Sequence, residues 1–177
     1  MGLLSRLFRQ GPSRQERLME QLRGDAHWTR RMVVAGELED DIRLFELAME
    51  DAHPLVRWAA FHRIEDSALL EQLARGCPDE DLRVAAVEKR DSPELCARLV
   101  GDDQPDGVRE AAASRLADPL LLIRVATLDP CPWVRRAALS RVDDEDILKR
   151  AAAGDPDCFV RDLAMERLSQ MRVSAAG

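Results

Sequence analysis

Arginine recurs along this chain at a constant interval of 26 residues. The phased positions are Arg31, Arg57, Arg83, Arg109, Arg135 and Arg161. A valine or leucine directly precedes each of the last five, and small or apolar residues fill the second and third positions after it. A repeat of this length marks an architecture built by stacking copies of one supersecondary unit. The period therefore restricts the fold more than any single motif does.

Each repeat has the pattern of two short helices. Nine residues after the phased arginine stands a residue that caps helix N-termini: Asp40, Asp66, Ser92, Asp118 or Asp144. Such side chains accept hydrogen bonds from the first-turn N–H groups, and Pro93 and Pro119 follow their caps at the position proline prefers. A proline also stands in the turn before each second helix. No segment shows the alternation of a strand.

One helical hairpin cannot bury its apolar face alone, whereas stacked hairpins share a continuous core. The sequence therefore predicts an all-α fold, an α-solenoid of about five to six stacked two-helix repeats with a 26-residue period. We expect basic capping helices over residues 1–28, the repeat array over 29–170 and a C-terminal tail over 171–177.

The segments 129–138 and 155–161 carry the motif Asp-Pro-x-x-x-Val-Arg most clearly. Over residues 30–170 the chain resembles the short HEAT-like repeats of bacteria and the leucine-rich repeat variant family. The resemblance implies a binding scaffold, although a few members of these families are enzymes. The repeat-variant family can hold an iron–sulfur cluster on N-terminal cysteines, and this chain has no cysteine before Cys77.

Aspartate stands six residues before most of the phased arginines, and Cys77 takes that place before Arg83. The HEAT-like resemblance implies a ladder in which turn aspartates bond helix arginines within and between repeats, and a charge-assisted fork to carboxylate is a strong bond. We predict a structural ladder of Asp51, Arg57, Arg83, Asp103, Arg109, Asp129, Arg135, Asp155 and Arg161. A phosphate-binding arginine stripe is disfavoured by the net charge of −7.

A second row of cations lies six residues after the phased arginines: Arg63, Lys89, Arg115, Arg141 and Arg167. Each comes near the end of its predicted helix, where a cation interacts favourably with the helix dipole. We therefore expect this row to be structural as well.

Composition excludes several classes of function. The acidic surplus and an aromatic content of 4% without tyrosine disfavour nucleic-acid binding. No apolar run approaches the roughly 18 residues of a membrane span, which disfavours stable membrane insertion. The four cysteines form no CxxC pair, so no metal site, cofactor or disulfide framework is predicted. We expect a reduced cytoplasmic protein, and a monomer.

Catalytic signatures are absent from the sequence. No histidine precedes a glutamate, and there is no Gly-rich phosphate loop or G-x-S-x-G elbow. No catalytic residue is predicted, but the HEAT-like resemblance keeps an alternative open, an enzyme or enzyme accessory of lyase-like or nucleic-acid-repair-like type. Cys131 and Cys158 fall in corresponding turns of adjacent repeats, so a shared redox or metal role stands beside that of ordinary buried cysteines.

The favoured function is a non-enzymatic scaffold or adaptor that binds a partner protein on the non-repeating positions of the array. The predicted partner-binding residues are Trp58, His62, Val84, Leu120 and Ile123. Trp58 fits an interface anchor and also a residue packed under the N-terminal cap. Leu120 and Ile123 are apolar side chains that the helical core pattern does not require.

The first residues differ in charge from the rest of the chain. Residues 1–31 hold seven arginines and three acidic residues, whereas the remainder has a net charge of −11. Leu3, Leu4, Leu7 and Phe8 fall on one face of a possible helix. This segment predicts either a cap on the first repeat or a membrane-surface attachment.

Overall fold

The computed structural model describes residues 13–23, 27–101 and 103–176, and these contain twelve α-helices and no strand. The all-α prediction is confirmed. The helices are α1 (Arg14–Arg23), α2 (Trp28–Glu37), α3 (Asp41–Glu50), α4 (Pro54–Arg63), α5 (Ser67–Gly76), α6 (Glu80–Arg90), α7 (Pro93–Leu99), α8 (Asp106–Ala113), α9 (Pro119–Leu128), α10 (Pro132–Leu139), α11 (Glu145–Gly154) and α12 (Cys158–Ala176).

The chain divides into two compact units, Met1–Leu73 (unit 1) and Ala74–Gly177 (unit 2), and the division falls inside α5. In unit 1, α1 packs on α2, α3 on α4, and α2 on α4. In unit 2, α7 packs on α8, α9 on α10 and α11 on α12, while α6, α8, α10 and α12 pack side by side in that order. Each unit is therefore a stack of helical hairpins, in which odd-numbered helices are first helices and even-numbered ones second helices.

The predicted caps start the first helices. The Asp40 carboxylate accepts from the N–H groups of Ile42 and Arg43 at 3.0 and 3.3 Å. The same arrangement starts α5, α7, α9 and α11 at their phased Asp or Ser residues. Because a helix of about ten residues is marginal by itself, these caps set the boundaries while tertiary packing supplies the stability.

Two positions face the core in the second helices α4, α6, α8, α10 and α12. The valine or leucine before the phased arginine is fully buried at Val56, Leu82, Val108, Val134 and Val160. The alanine three residues after the arginine is also fully buried in each of these helices. A small alanine allows neighbouring helices to approach closely, which explains why this position tolerates so little variation among the repeats.

The arginine ladder joins consecutive hairpins. Arg135 donates from Nε and Nη2 to both carboxylate oxygens of Asp155 at 2.9 and 2.8 Å. Arg109 forms the same fork with Asp129, and Arg31 forms it with Asp51. The interval is 20 residues in each case, so every fork runs from one repeat to the turn of the next.

The within-repeat bond differs from the prediction. The acceptor six residues before the arginine is the main-chain carbonyl, as in Arg57 to Asp51 at 3.1 Å and Arg161 to Asp155 at 2.7 Å. The aspartate carboxylate is left for the arginine of the preceding repeat. Arg135 accordingly bonds the carbonyl of Asp129 as well as the carboxylate of Asp155.

The prediction is wrong for Asp103, which is exposed. Arg83 donates instead to Oε1 of Gln104 at 3.1 Å, and Arg109 donates to the carbonyl of Gln104. The proline of this turn, Pro105, stands one residue later than its counterparts Pro130 and Pro156. The turn is thereby shifted by one residue, and an amide replaces the carboxylate.

The second row of cations also acts between repeats, which corrects the prediction that it serves its own helix ends. Arg63 donates to the carbonyl of Leu38 at 3.2 Å, Arg141 to that of Ser114 at 2.6 Å and Arg167 to that of Val142 at 3.3 Å. Leu38 and Ser114 are the C-cap residues of the preceding second helices, whereas Val142 lies beyond the end of α10. The bonds to Leu38 and Ser114 thus satisfy carbonyls that a helix end leaves open.

Both ends of the chain bear on the expected domain boundaries. Residues 171–176, assigned from the sequence to a tail, continue α12. The apolar face predicted for Leu3, Leu4, Leu7 and Phe8 lies outside the described residues. Within those residues, no helix combines the length and the apolar character that crossing a bilayer requires.

Arg109→Ala is expected to lower the free energy of unfolding by about 3 kcal/mol, because it leaves the Asp129 carboxylate, 6% exposed, without its fork. Arg136→Ala, one position along on the exposed side of α10, is expected to change it by less than about 0.5 kcal/mol. Urea unfolding of both variants measures the difference. Equal stabilities would contradict the structural role of the ladder.

The ladder also predicts sensitivity to acid. Burial opposes ionisation of Asp155, but hydrogen bonds from Arg135 and from the Asp157 N–H outweigh it and hold the pKa of Asp155 below its ordinary value. A lowered pKa stabilises the fold fully above the unfolded-state value of about 3.9, and this contribution is lost as pH falls toward the folded-state value. The stability difference between wild type and Asp155→Asn should therefore shrink below about pH 4 in urea unfolding. A constant difference would contradict this explanation.

Candidate protein-binding surfaces

One side of each second helix is left open by the stacking. Positions two before, one after and five after the phased arginine share this side, because they are spaced i, i+3 and i+7. On α10 these are Trp133, Arg136 and Ser140, and on α12 they are Phe159, Asp162 and Glu166. All six residues are exposed.

Trp133 and Phe159 stack on each other on this open side. Their ring centroids lie 5.9 Å apart with an interplanar angle of 23°. Trp133 is nevertheless 49% exposed and Phe159 56% exposed. Aromatic rings gain a favourable contact from such stacking, but here each ring leaves about half of its surface in water. We call this pair the aromatic stack.

Sequence reasoning missed the aromatic stack. The predicted residues Trp58, Val84 and His62 lie one or five residues after a phased arginine, whereas Trp133 and Phe159 lie two residues before theirs. The available signal was two aromatic residues 26 apart at one repeat position, in a chain with few aromatics. Gly107 and Asp81 occupy this position in the two preceding repeats and break the pattern.

The charges beside the aromatic stack are mainly acidic. Among the described residues of α8, α10 and α12, Glu110, Asp162 and Glu166 are exposed on the same side, against one exposed cation, Arg136. This combination of apolar rings and carboxylates is complementary to an apolar segment flanked by lysine or arginine.

The predicted residues Trp58 and His62 belong to unit 1. Trp58 is half-buried and packs edge-on against Phe61, with ring centroids 5.7 Å apart and an angle of 86°. Phe61 is only 2% exposed, so part of the Trp58 ring serves the core. His62 is exposed and its ring centroid lies 5.7 Å from that of Trp58.

His62 also lines a groove of about 470 Å³ in unit 1. The buried side chains of Leu38 and Leu44 form its apolar part, and Arg63 and Glu65 add charges of both signs. The groove lies where the end of one second helix meets the start of the next hairpin.

An equivalent groove of about 420 Å³ occurs in unit 2, three repeat periods further along the chain. Leu116, Leu122, Ile123, Arg141 and Asp143 are among its lining residues. The predicted residue Ile123 is thus half-buried in a groove wall.

The other two predicted residues of unit 2 differ in exposure. Leu120, in the first turn of α9, is 79% exposed. Val84 is half-buried, because α8 approaches it closely: a Cβ atom at Gly107 would lie 3.7 Å from Val84 Cγ2 and 2.8 Å from Glu80 Oε1.

The cysteines offer little shared chemistry. All four are free, with Cys77, Cys96 and Cys131 buried and Cys158 exposed. Burial raises the pKa of the Cys96 thiol. Among the residues that the structure describes, no group of three or more His, Cys, Asp or Glu side chains could hold a metal ion.

No protein-family model, curated protein or solved structure matches this chain.

Thiol exposure gives a direct check on this part of the structure. A maleimide is expected to label one cysteine of the native protein rapidly, because only a reachable thiolate reacts. Cys158→Ser should abolish the fast phase, whereas Cys131→Ser should leave it unchanged. Fast labelling of two or more cysteines, followed by mass spectrometry, would contradict the burial of Cys77, Cys96 and Cys131.

Proposed function

We propose that this chain is a non-enzymatic protein-interaction scaffold and that it binds a partner protein through the open side of the second helices in unit 2. The observation that carries the proposal is the aromatic stack, because Trp133 and Phe159 lie against each other while about half of each ring remains exposed. Tryptophan at an exposed, rigidly held position is a frequent anchor of protein interfaces.

The rigidity of the aromatic stack supports this role. Trp133 follows Pro132 in the first turn of α10, and the Phe159 N–H donates to the Asp157 carboxylate at 2.9 Å. Both backbones are thus fixed where the second helices begin. A preorganised anchor loses little conformational entropy when a partner binds.

The charge pattern narrows the class of partner. With Glu110, Asp162 and Glu166 exposed beside the aromatic stack, the favoured partner is an apolar segment with flanking basic residues. Charges of this kind accelerate and orient association, and added salt weakens that effect.

The proposal keeps the HEAT-like kinship, the bacterial cytoplasmic setting and the monomeric state expected from the sequence. Trp58, His62, Val84, Leu120 and Ile123 remain further candidates for partner contact. Leu120 has the strongest support among them, because its side chain is 79% exposed in the first turn of α9.

The test replaces both rings in the variant Trp133→Ser/Phe159→Ser. Proteins captured from the host lysate by wild type are identified, and the affinity of the purified partner is then titrated against wild type and the variant. Loss of two aromatic anchors should weaken binding at least about tenfold.

The matched control is Leu128→Ser, which removes an apolar side chain of unit 2 that is 73% exposed and lies on α9, a first helix. It should bind like wild type. Circular dichroism and the melting temperature establish that both variants fold. A partner that binds the aromatic variant as tightly as wild type would refute this location of the binding surface.

A further inference from the structure

The position four residues after the phased arginine is buried in five of the six second helices. Its occupants are Ala35, Phe61, Val87, Ala113 and Leu139, and none is more than 2% exposed. The position seven residues after the arginine is likewise buried at Leu38, Ile64, Leu116 and Val142. Leu38 and Ile64 are the C-cap residues of α2 and α4, and Leu116 and Val142 lie beyond the last residues of α8 and α10. On α12, which continues to Ala176, the arginine and the two corresponding positions form one stripe along the helix.

On α12 the same stripe is open. Met165, four residues after Arg161, is 52% exposed, and Leu168 is half-buried. Val160 and Ala164, which face the core, stay fully buried. The stripe is therefore the side on which the next hairpin stacks in earlier repeats, and within the described residues no helix follows α12.

Arg161 forms only part of the hydrogen-bond pattern that Arg135 forms among the described residues. Its Nη1 donates to the carbonyls of Asp155 and Pro156 at 2.7 and 3.0 Å, just as Arg135 Nη1 bonds Asp129 and Pro130. In Arg135 the remaining edge, Nε and Nη2, forks onto the Asp155 carboxylate. The described residues place no carboxylate on the corresponding edge of Arg161.

A second arginine extends the stripe. Arg172 is exposed and lies eleven residues after Arg161, about three helical turns along. Met165 and Leu168 thus lie between two cations. Two copies of α12 packed antiparallel would place Arg161 opposite Arg172, a like-charge contact that disfavours self-association.

We propose that Arg161, Met165, Leu168 and Arg172 form a docking stripe for one helix of a partner protein, a helix with an apolar centre and a carboxylate near each end. The apolar centre of that helix contacts Met165 and Leu168. The carboxylates pair with the two arginines, and the one at Arg161 completes the fork that Arg135 makes in the preceding repeat.

This stripe is distinct from the surface proposed above. Phe159 lies two residues before Arg161, roughly 200° around the helix, and its neighbours are acidic rather than basic. The docking stripe therefore selects an acidic helix, whereas the aromatic stack selects a basic segment. Either proposal can fail while the other holds.

The test pans a phage-displayed library of random peptides of about 18 residues, long enough for five helical turns, against the full chain. Selected peptides should carry aspartate or glutamate on both sides of an apolar centre. A synthetic copy should then bind Met165→Ser and Arg172→Gln at least about tenfold more weakly than wild type. Both side chains are exposed, so neither change removes a core contact.

Two controls keep the result specific. Val173→Ser removes an exposed apolar side chain of α12 that lies off the stripe, and Trp133→Ser/Phe159→Ser removes the aromatic stack. Both should bind the peptide within about twofold of wild type. The proposal is overturned by a selection without acidic peptides, by unchanged affinity in Met165→Ser, or by a light-scattering mass of a dimer that Met165→Ser returns to that of a monomer.

Discussion

The guanidinium fork between consecutive hairpins is the interaction on which the stacking depends. Arg135 and Asp155 are both 8% exposed, so neither charge can be left to water. Coulomb attraction between such groups roughly offsets the cost of burying them, whereas removal of one partner leaves an uncompensated charge. The fork therefore contributes little to the net free energy of folding. Its main effect is to select one stacking register. A hairpin displaced by one residue would leave both buried charges without a partner.

The same requirement fixes the two ends of each hairpin. At the turn, the phased arginine bonds a main-chain carbonyl of its own turn and the aspartate carboxylate of the next turn, as Arg135 does. At the opposite end, Arg141 and Arg167 bond carbonyls that lie just after the preceding second helix. Where the turn is shifted by one residue, Gln104 supplies both acceptors. With the ends and the core positions fixed, only the open sides of the helices are free to vary, and those sides carry the aromatic stack.

The sequence predicts the helices well because their causes are local. Asp40 caps a helix through its own first turn, and the 26-residue period reports the core directly. It could not predict the ladder partners, because an aspartate six residues before one arginine is also 20 residues after the previous arginine. Only the folded geometry separates these two pairings. The aromatic stack was missed for a related reason: Gly107 occupies the equivalent position one repeat earlier, so no column of similar residues marks the surface.

The two proposed surfaces follow from one property of a stacked array. In the interior repeats, bonds such as those of Arg135 lie within the stack, so the open sides of the helices remain accessible to a partner. On α12, the last second helix described, two sides are open. Phe159 lies on the variable side and Arg161 lies on the stacking side. A capping repeat presents a polar outer surface, whereas on this side of α12 Met165 places an apolar side chain between two arginines. Since ligands that bind only the folded state stabilise it by mass action, an acidic helix on this stripe would also stabilise α12, in the same way that each interior hairpin stabilises the one before it.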